Sequence, residues 1–262
     1  MNPQLYQDAH QLVEHSHRIL LLTHTKADCD GLGAALAAYS VLKQMGKDPV
    51  VVTADPISEN MRFLPSIDLL QNSLGGDEFV IQLDISRTLI DKIKYNTSDD
   101  ARLMNIVITP KNGVFSDKDV QFRSGEMVPF DLIMIFDTGN LEHLGSLYEK
   151  NVDLFYNTPL INIDHHASNT HFGQVNLLDP TAASATEVLY GFLKDLETRH
   201  QKTYLNADIA TLLLAGIITD TGSFQHANTS PRSMETAAEL LDLGARQQEI
   251  IKNIYKTKSS AP

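Results

Sequence analysis

Aspartate and histidine recur along this chain at positions suited to chemistry on a charged substrate. His24, Asp28 and Asp30 share one stretch, Thr23-His24-Thr25-Lys26-Ala27-Asp28-Cys29-Asp30-Gly31. Asp137 opens Asp137-Thr138-Gly139, Asp164-His165-His166 forms a triplet, and Asp220 opens Asp220-Thr221-Gly222. His24, Asp28, Asp30, Asp137, His165 and Asp220 together offer carboxylates and imidazoles without a thiolate. Carboxylates gathered without cations repel and raise one another's pKa. Two divalent cations would remove that repulsion, and an oxygen-and-imidazole donor set suits Mn²⁺, with Mg²⁺, Zn²⁺ and Fe²⁺ open. Two such ions about 3.5–4 Å apart can share a carboxylate, activate a water and hold a phosphoryl oxygen.

Each piece alone has a plainer reading. Asp28 and Asp30 could be a turn and a helix cap, Asp137 a turn residue, and His165-His166 a surface pair. A lone Asp-Thr-Gly, as at Asp220, carries little information. His10, His15, His17, His143, His171, His200 and His226 read as structural or solvated residues. What singles out the set is its placement, because each of the four loops follows an apolar run.

Those runs define the elements that must position the site. Residues 4–17 pattern as an amphipathic helix. Arg18–Thr23 (RILLLT) is a continuous apolar strand of the kind buried on both faces. A helix over 31–46 follows, with Asp30 as its expected cap and Gly46 at its end. Pro49–Thr53, Asp131–Phe136 and Leu160–Ile163 read as further strands, and Ser184–Arg199, Ala207–Thr219 and Arg232–Leu243 as helices. This βαβ pattern predicts an α/β fold, a doubly wound and mostly parallel sheet with helices on both faces. In such sheets ligands bind beyond the carboxyl ends of the strands, where the four loops would meet. Residues 77–128 differ. FVIQLDIS, LMNIVIT and DVQFRS read as strands around a Lys111-Asn112-Gly113 turn, a strand-rich insertion. The expected organisation is one catalytic domain over 1–255 carrying the insertion 77–128, then a polar tail over 256–262. The chain is already polar from Gly244.

Composition bounds the partners. The formal net charge of the 262 residues is −12, which disfavours long duplex nucleic acid bound by a broad basic face. A small phosphorylated substrate remains compatible, because bound cations reverse the local sign. The single cysteine, Cys29, excludes an intrachain disulfide and a cysteine zinc cluster. The N-terminus does not read as a signal peptide, and no apolar run is long enough to span a membrane. The expectation is a cytoplasmic protein.

The motifs, taken in order, resemble the DHH phosphoesterase superfamily, named for the triplet that stands here as Asp164-His165-His166 within DHHASN. His24, Asp28 and Asp30 match its first motif, Asp137 in IFDTG its second, and Asp220 in GIITDTGSF its fourth. The resemblance covers about residues 18–65 and 130–255. It is closest to the bacterial oligoribonuclease and phosphoadenosine-phosphate phosphatase branch, which includes RecJ relatives, chiefly through ITDTGSFQHANTS and the helix after it. The resemblance implies two divalent ions, Mn²⁺ or Mg²⁺, one on His24 and Asp28, the other on Asp30, His165 and Asp220, with Asp137 bridging. It implies catalytic roles for Asp137, Asp164 and His166 and hydrolysis by a water activated between the ions. His166 and Asn169 would contact substrate, and Asp164 would orient a ligand histidine. Implied substrates are short oligonucleotides, dinucleotides or 3′-phosphoadenosine 5′-phosphate.

Two departures accompany the resemblance. The insertion spaces the first two motifs widely, and its roles as a lid, a homodimer contact or decoration stay open. The family's C-terminal DHH-associated domain is not matched before Pro262, so the expectation is either a fragment or a metal domain that works alone. Two other functions stand beside the leading one: a manganese-dependent inorganic pyrophosphatase, which shares the ligand set, and a non-catalytic nucleotide-binding module.

Overall fold

The computed structural model describes residues 3–74, 79–98, 102–124 and 129–256. The chain divides into two compact units, one comprising Met1–Leu74 with Pro129–Pro262, the other Gly75–Val128.

The larger unit is built on strands β1 (Arg18–Thr23), β2 (Asp48–Val52), β7 (Leu132–Phe136), β8 (Leu160–Asp164) and β9 (Val175–Leu178). They form one parallel sheet in the order β2-β1-β7-β8-β9. Every residue of β7 and β8 is buried, so their sequences lack the alternation of a half-exposed strand. The chain leaves β1 through helix α2 (Cys29–Gln44) to reach β2 on one side. β7 to β9 continue on the other side, so strand order reverses between β1 and β7. The β1–β2 and β7–β8 connections run in opposite directions along the sheet. Right-handed crossovers therefore put α2 on one face and the short helices α3 (Ser146–Glu149) and α4 (Val152–Asn157) on the other.

Helices α1 (Pro3–His15), α5 (Ala185–His200), α6 (Ala207–Asp220), α7 (Pro231–Asp242) and α8 (Gln247–Ile251) complete the unit. Leu21, Met134 and Ile163 of the sheet share one core with Leu36, Leu189 and Leu213 of α2, α5 and α6. Leu20, Leu22, Ile133 and Ile135, on the opposite pleat, are equally buried. All of α6 from Ile209 to Ile218 is buried, the mark of a helix that is apolar all round and central. It approaches α2 so closely that a Cβ on Gly33 would stand 2.6 Å from the Leu212 carbonyl oxygen. Among the described residues no helix is long and apolar enough to cross a membrane.

The smaller unit contains β3 (Phe79–Leu83) paired antiparallel with β6 (Val120–Ser124), and β4 (Ile90–Thr97) paired antiparallel with β5 (Met104–Pro110). Gly113 has φ +79°, as the expected turn there requires. The strand missed in the sequence is β4, whose IDKIKYNT is mostly exposed and carries two lysines in its run.

The structure corrects several other expectations. Asp28, not Asp30, caps α2, its side chain accepting from the backbone N–H groups of Asp30 and Gly31. Asp30 lies inside the first turn and is fully buried. Helices α3 and α4 and strand β9 are too short to show a period in sequence. The stretch after Gly244, read as polar, instead forms α8 and a π-helical turn at Lys252–Lys256, with Ile250 fully buried. Residues 257–262 of the expected tail lie outside the described residues.

Replacing Gly33 with Ala should overpack the α2–α6 contact. The expected cost is about 2 kcal/mol, roughly 4–8 °C in Tm by scanning calorimetry; an unchanged Tm would show that the two helices separate without penalty.

Candidate metal centre

The site is assembled where strand order reverses. β1 delivers His24 and β7 delivers Asp137 to neighbouring strand ends. His24 Nδ1 donates to the Thr25 carbonyl at 2.8 Å, which leaves Nε2 unprotonated in the neutral ring and suited to coordination. Nε2 stands 3.3 Å from Asp137 Oδ2 and 3.9 Å from Asp28 Oδ1. Asp28 is fixed as the α2 cap, Oδ1 accepting from Asp30 N at 2.9 Å and Gly31 N at 3.1 Å.

Asp30 is held from a different direction. Its carboxylate accepts from the Ala185 amide at 2.6 Å and from the Thr186 amide and hydroxyl at 2.9 and 2.6 Å. These amides belong to the first turn of α5, whose N–H groups have no partner within the helix. The positive end of the α5 dipole thus faces a buried carboxylate. A Cβ on Gly216 of α6 would come within 2.4 Å of Asp30 Oδ1, so only glycine fits there without movement.

Asp137 adopts φ +51°, a strained value for a non-glycine residue, and its amide donates to the Ile163 carbonyl at 2.9 Å. Its side chain is only 4% exposed. Its Oδ1 is buried without a hydrogen-bond partner. His165 Nε2 lies 3.5 Å and His166 Nδ1 3.6 Å from that oxygen, beyond good hydrogen-bond range. His165 Nε2 also lies 3.4 Å from Asp220 Oδ2 at the end of α6.

These groups therefore surround space rather than bond to one another. Donor atoms of His24, Asp28 and Asp137 lie within 4.8 Å of one another, as do those of Asp30, His165 and Asp220. Asp137 with Asp164, His165 and His166 makes a third such group. Ligands about 2.0–2.2 Å from a shared ion stand about 2.8–3.6 Å apart, which matches the His–Asp separations of 3.3–3.5 Å. The orphaned Asp137 oxygen and the sulfur-free donor set both fit divalent cations.

The electrostatics agree. Burial, then the charges of Asp30 and Asp137, push Asp220 up to about 9. Burial and Asp137 push Asp30 up to about 7. Burial also opposes the charge on Asp137, but the facing His165 and His24 outweigh it and hold that carboxyl well below its usual range. Contact with Asp137, then with Asp28, raises His24 to about 11. Burial lowers His165, yet Asp137 together with Asp30 and Asp220 raises it to about 9.

All six expected ligands converge. The other expected residues are placed differently. Asp164, fully buried, accepts from the His165 backbone amide at 2.8 Å, His166 Nδ1 at 2.7 Å and Asn169 Nδ2 at 2.6 Å. It fixes the ring of His166, and touches His165 only through the backbone. Asn169, expected at the substrate, is 8% exposed. Its amide nitrogen donates to Thr138 O, Asn162 Oδ1 and Asp164 Oδ2, and its oxygen accepts from His171 N. Held by these bonds, Asn169 braces the DHH loop.

The cleft over the centre measures about 370 Å³ and is lined by His24, Asp28, Asp137, His166 and Asp220. Thr25, Gly139, His143 and Ser168 also line it. The sequence reading set His143 aside as structural. Its one signal was position, a few residues past Asp137, where the short helical turn Leu141–Leu144 begins.

Fold and site together define a class: doubly wound α/β proteins with an acidic and histidine-rich centre at the switch point. The DHH family, N-terminal domain, matches residues 18–217, and the chain belongs to that family. A bifunctional oligoribonuclease and PAP phosphatase NrnA from Thermus thermophilus is 28% identical over 232 residues, covering 88% of this chain and 52% of that protein. A protein of the same description from Bacillus subtilis is 30% identical over 127 residues, covering 48% and 38%. The chain thus spans about half the length, or less, of these relatives. The crystal structure of an exopolyphosphatase-related protein from Bacteroides fragilis shares the fold, with a TM-score of 0.71 and 18% identity over 99% of this chain and 62% of that one.

Metal binding should be linked to protons. Without metal, His24, His165 and Asp220 hold protons at pH 7 because their pKa values are raised to about 11, 9 and 9. Cations must displace these protons, so Mn²⁺ affinity should rise from pH 6 to 8. Titration calorimetry in buffers of different ionisation enthalpy should show net proton release, and a heat independent of buffer would refute the linkage.

Proposed function

We propose that this chain carries the catalytic centre of a metal-dependent phosphoesterase acting on short oligonucleotides, dinucleotides or 3′-phosphoadenosine 5′-phosphate. The observation that carries the reading is Asp137, a buried carboxylate with an unpartnered oxygen, which lies with His24 and Asp28 on one side and with Asp164, His165 and His166 on the other. His24, Asp28 and Asp137 would hold one ion and Asp30, His165 and Asp220 the other, with Asp137 common to both. Two divalent cations there, Mn²⁺ or Mg²⁺, would cancel the carboxylate charge, acidify a water and polarise a phosphoryl oxygen.

The remaining work falls to the chain's own groups. Asp164 accepts from His166 Nδ1, which fixes the ring and leaves Nε2 for the cleft that His166 lines. That hydrogen bond, against the opposing effect of burial, raises the His166 pKa. That shift moves His166 toward the imidazolium form, in which Nε2–H can donate to a phosphate oxygen or to the departing oxygen. His143 and Ser168 supply further polar groups to the same wall. Among the described residues no lysine or arginine lines this cleft, so phosphate would be recognised through the ions and imidazoles. The net charge of −12 keeps long nucleic acid away. The activities named for the NrnA proteins support a small nucleotide substrate.

The test is turnover of pApA, 3′-phosphoadenosine 5′-phosphate and pyrophosphate with Mn²⁺. Cleavage of one of the two nucleotides is expected, with Asp137→Asn lowering kcat at least about a hundredfold. Faster release of phosphate from pyrophosphate would favour the pyrophosphatase reading. Ion binding without any turnover would leave only the non-catalytic module.

A further inference from the structure

The loop from His24 to Asp28 separates two clefts, and we infer that the second holds the nucleoside portion of a nucleotide whose scissile phosphate lies at the metal centre, with Lys26 pairing a second phosphate. This inference rests on the phosphoesterase reading above. Asp28 lines both the metal cleft and a neighbouring cleft of about 530 Å³. That volume lies within the range of small-molecule sites, about 300–1,000 Å³.

The lining of the second cleft has two characters. Pro56, Met61 and Ile254 present apolar surface, on which the face of a nucleobase can lie. Ser58 and Asn60 present a hydroxyl and an amide, both able to donate to and accept from polar edges. Among the described residues Lys26 contributes the one lysine or arginine in the lining of either cleft.

Lys26 is held in place by its backbone. It adopts φ +55°, a left-handed conformation costing a non-glycine residue roughly 1–2 kcal/mol. Its amide donates to Asp55 Oδ2 at 2.5 Å, and Asp55 belongs to the same cleft. The Lys26 side chain is exposed and lines the cleft together with the carboxylates of Asp28 and Asp55. A cation placed there, beside the carboxylate-rich centre, suits an anion brought by the substrate. Pyrophosphate would have no use for the apolar wall, so the second cleft selects a phosphorylated nucleoside.

The test compares Lys26→Asn, which suits the left-handed backbone, with Lys26→Arg, which keeps the charge. With Mn²⁺ present, K26N should raise KM for pApA about tenfold more than KM for bis(p-nitrophenyl) phosphate, which has no nucleoside, while kcat for pApA changes far less. K26R should restore most of the loss. Equal changes for both substrates, or no change for either, would overturn the inference. A binding measurement separates it from the reading it rests on. AMP added to ¹⁵N-labelled protein should shift the amides of Ser58, Asn60 and Met61, and K26N should weaken that binding, whether or not any ester is cleaved. AMP that fails to bind, or that shifts only residues beside His143 and Ser168, would also overturn it.

Discussion

Everything in the larger unit answers to the mutual repulsion of carboxylates gathered in a space with little water. Asp28, Asp30, Asp137 and Asp220 cannot all be ionised there without cations, and the raised values of Asp30 and Asp220 express that conflict. The fold resists it by fixing the carboxylates from separate directions. Asp28 is held by the first turn of its own helix α2, and Asp30 by the first turn of α5. Asp164, just behind, is held by the loop that follows β8. Asp137 alone keeps a buried oxygen with no donor. Its place on the positive-φ residue at the end of β7 turns Oδ2 toward His24 and the unpartnered Oδ1 toward His165. Ligands held this way by the fold's own hydrogen bonds cost less to order around an ion.

The same constraint explains how the helices pack. For the α5 terminus to reach Asp30, α2, α5 and α6 must come close together. Gly33 and Gly216 permit it, since a methyl group at either would meet Leu212 O, or Asp30 and Thr186. The buried face of α6 keeps this arrangement rigid, and α6 ends at Asp220 itself. Core packing and ligand placement are thus one requirement, and a change in either disturbs the other.

Much of this was visible in the sequence, for stated reasons. Strands buried on both faces announce themselves as apolar runs, so β1, β7 and β8 and the acidic residues at their ends could be read directly. The six candidate ligands, which the fold brings together, followed from residue chemistry and order along the chain. What escaped was set by short range or by tertiary contact. β9, α3 and α4 are too brief to show a period. No local signal could reveal that Asp30 accepts from the first-turn amides of α5, because those partners lie 155 and 156 residues away. Asn169 reads as a substrate group from its type and place in DHHASN, and its bracing role is visible only in its four internal hydrogen bonds. His143 was discounted for lack of a neighbouring motif, and three-dimensional proximity restored it.

The central claim is that two cations share Asp137. Crystals soaked in Mn²⁺ and measured at the manganese absorption edge test it most directly. Two anomalous peaks should appear, one beside His24 and Asp28 and one beside Asp30, His165 and Asp220, each about 2.2 Å from a carboxylate oxygen of Asp137. A single peak, or peaks that leave Asp137 uncoordinated, would contradict the account.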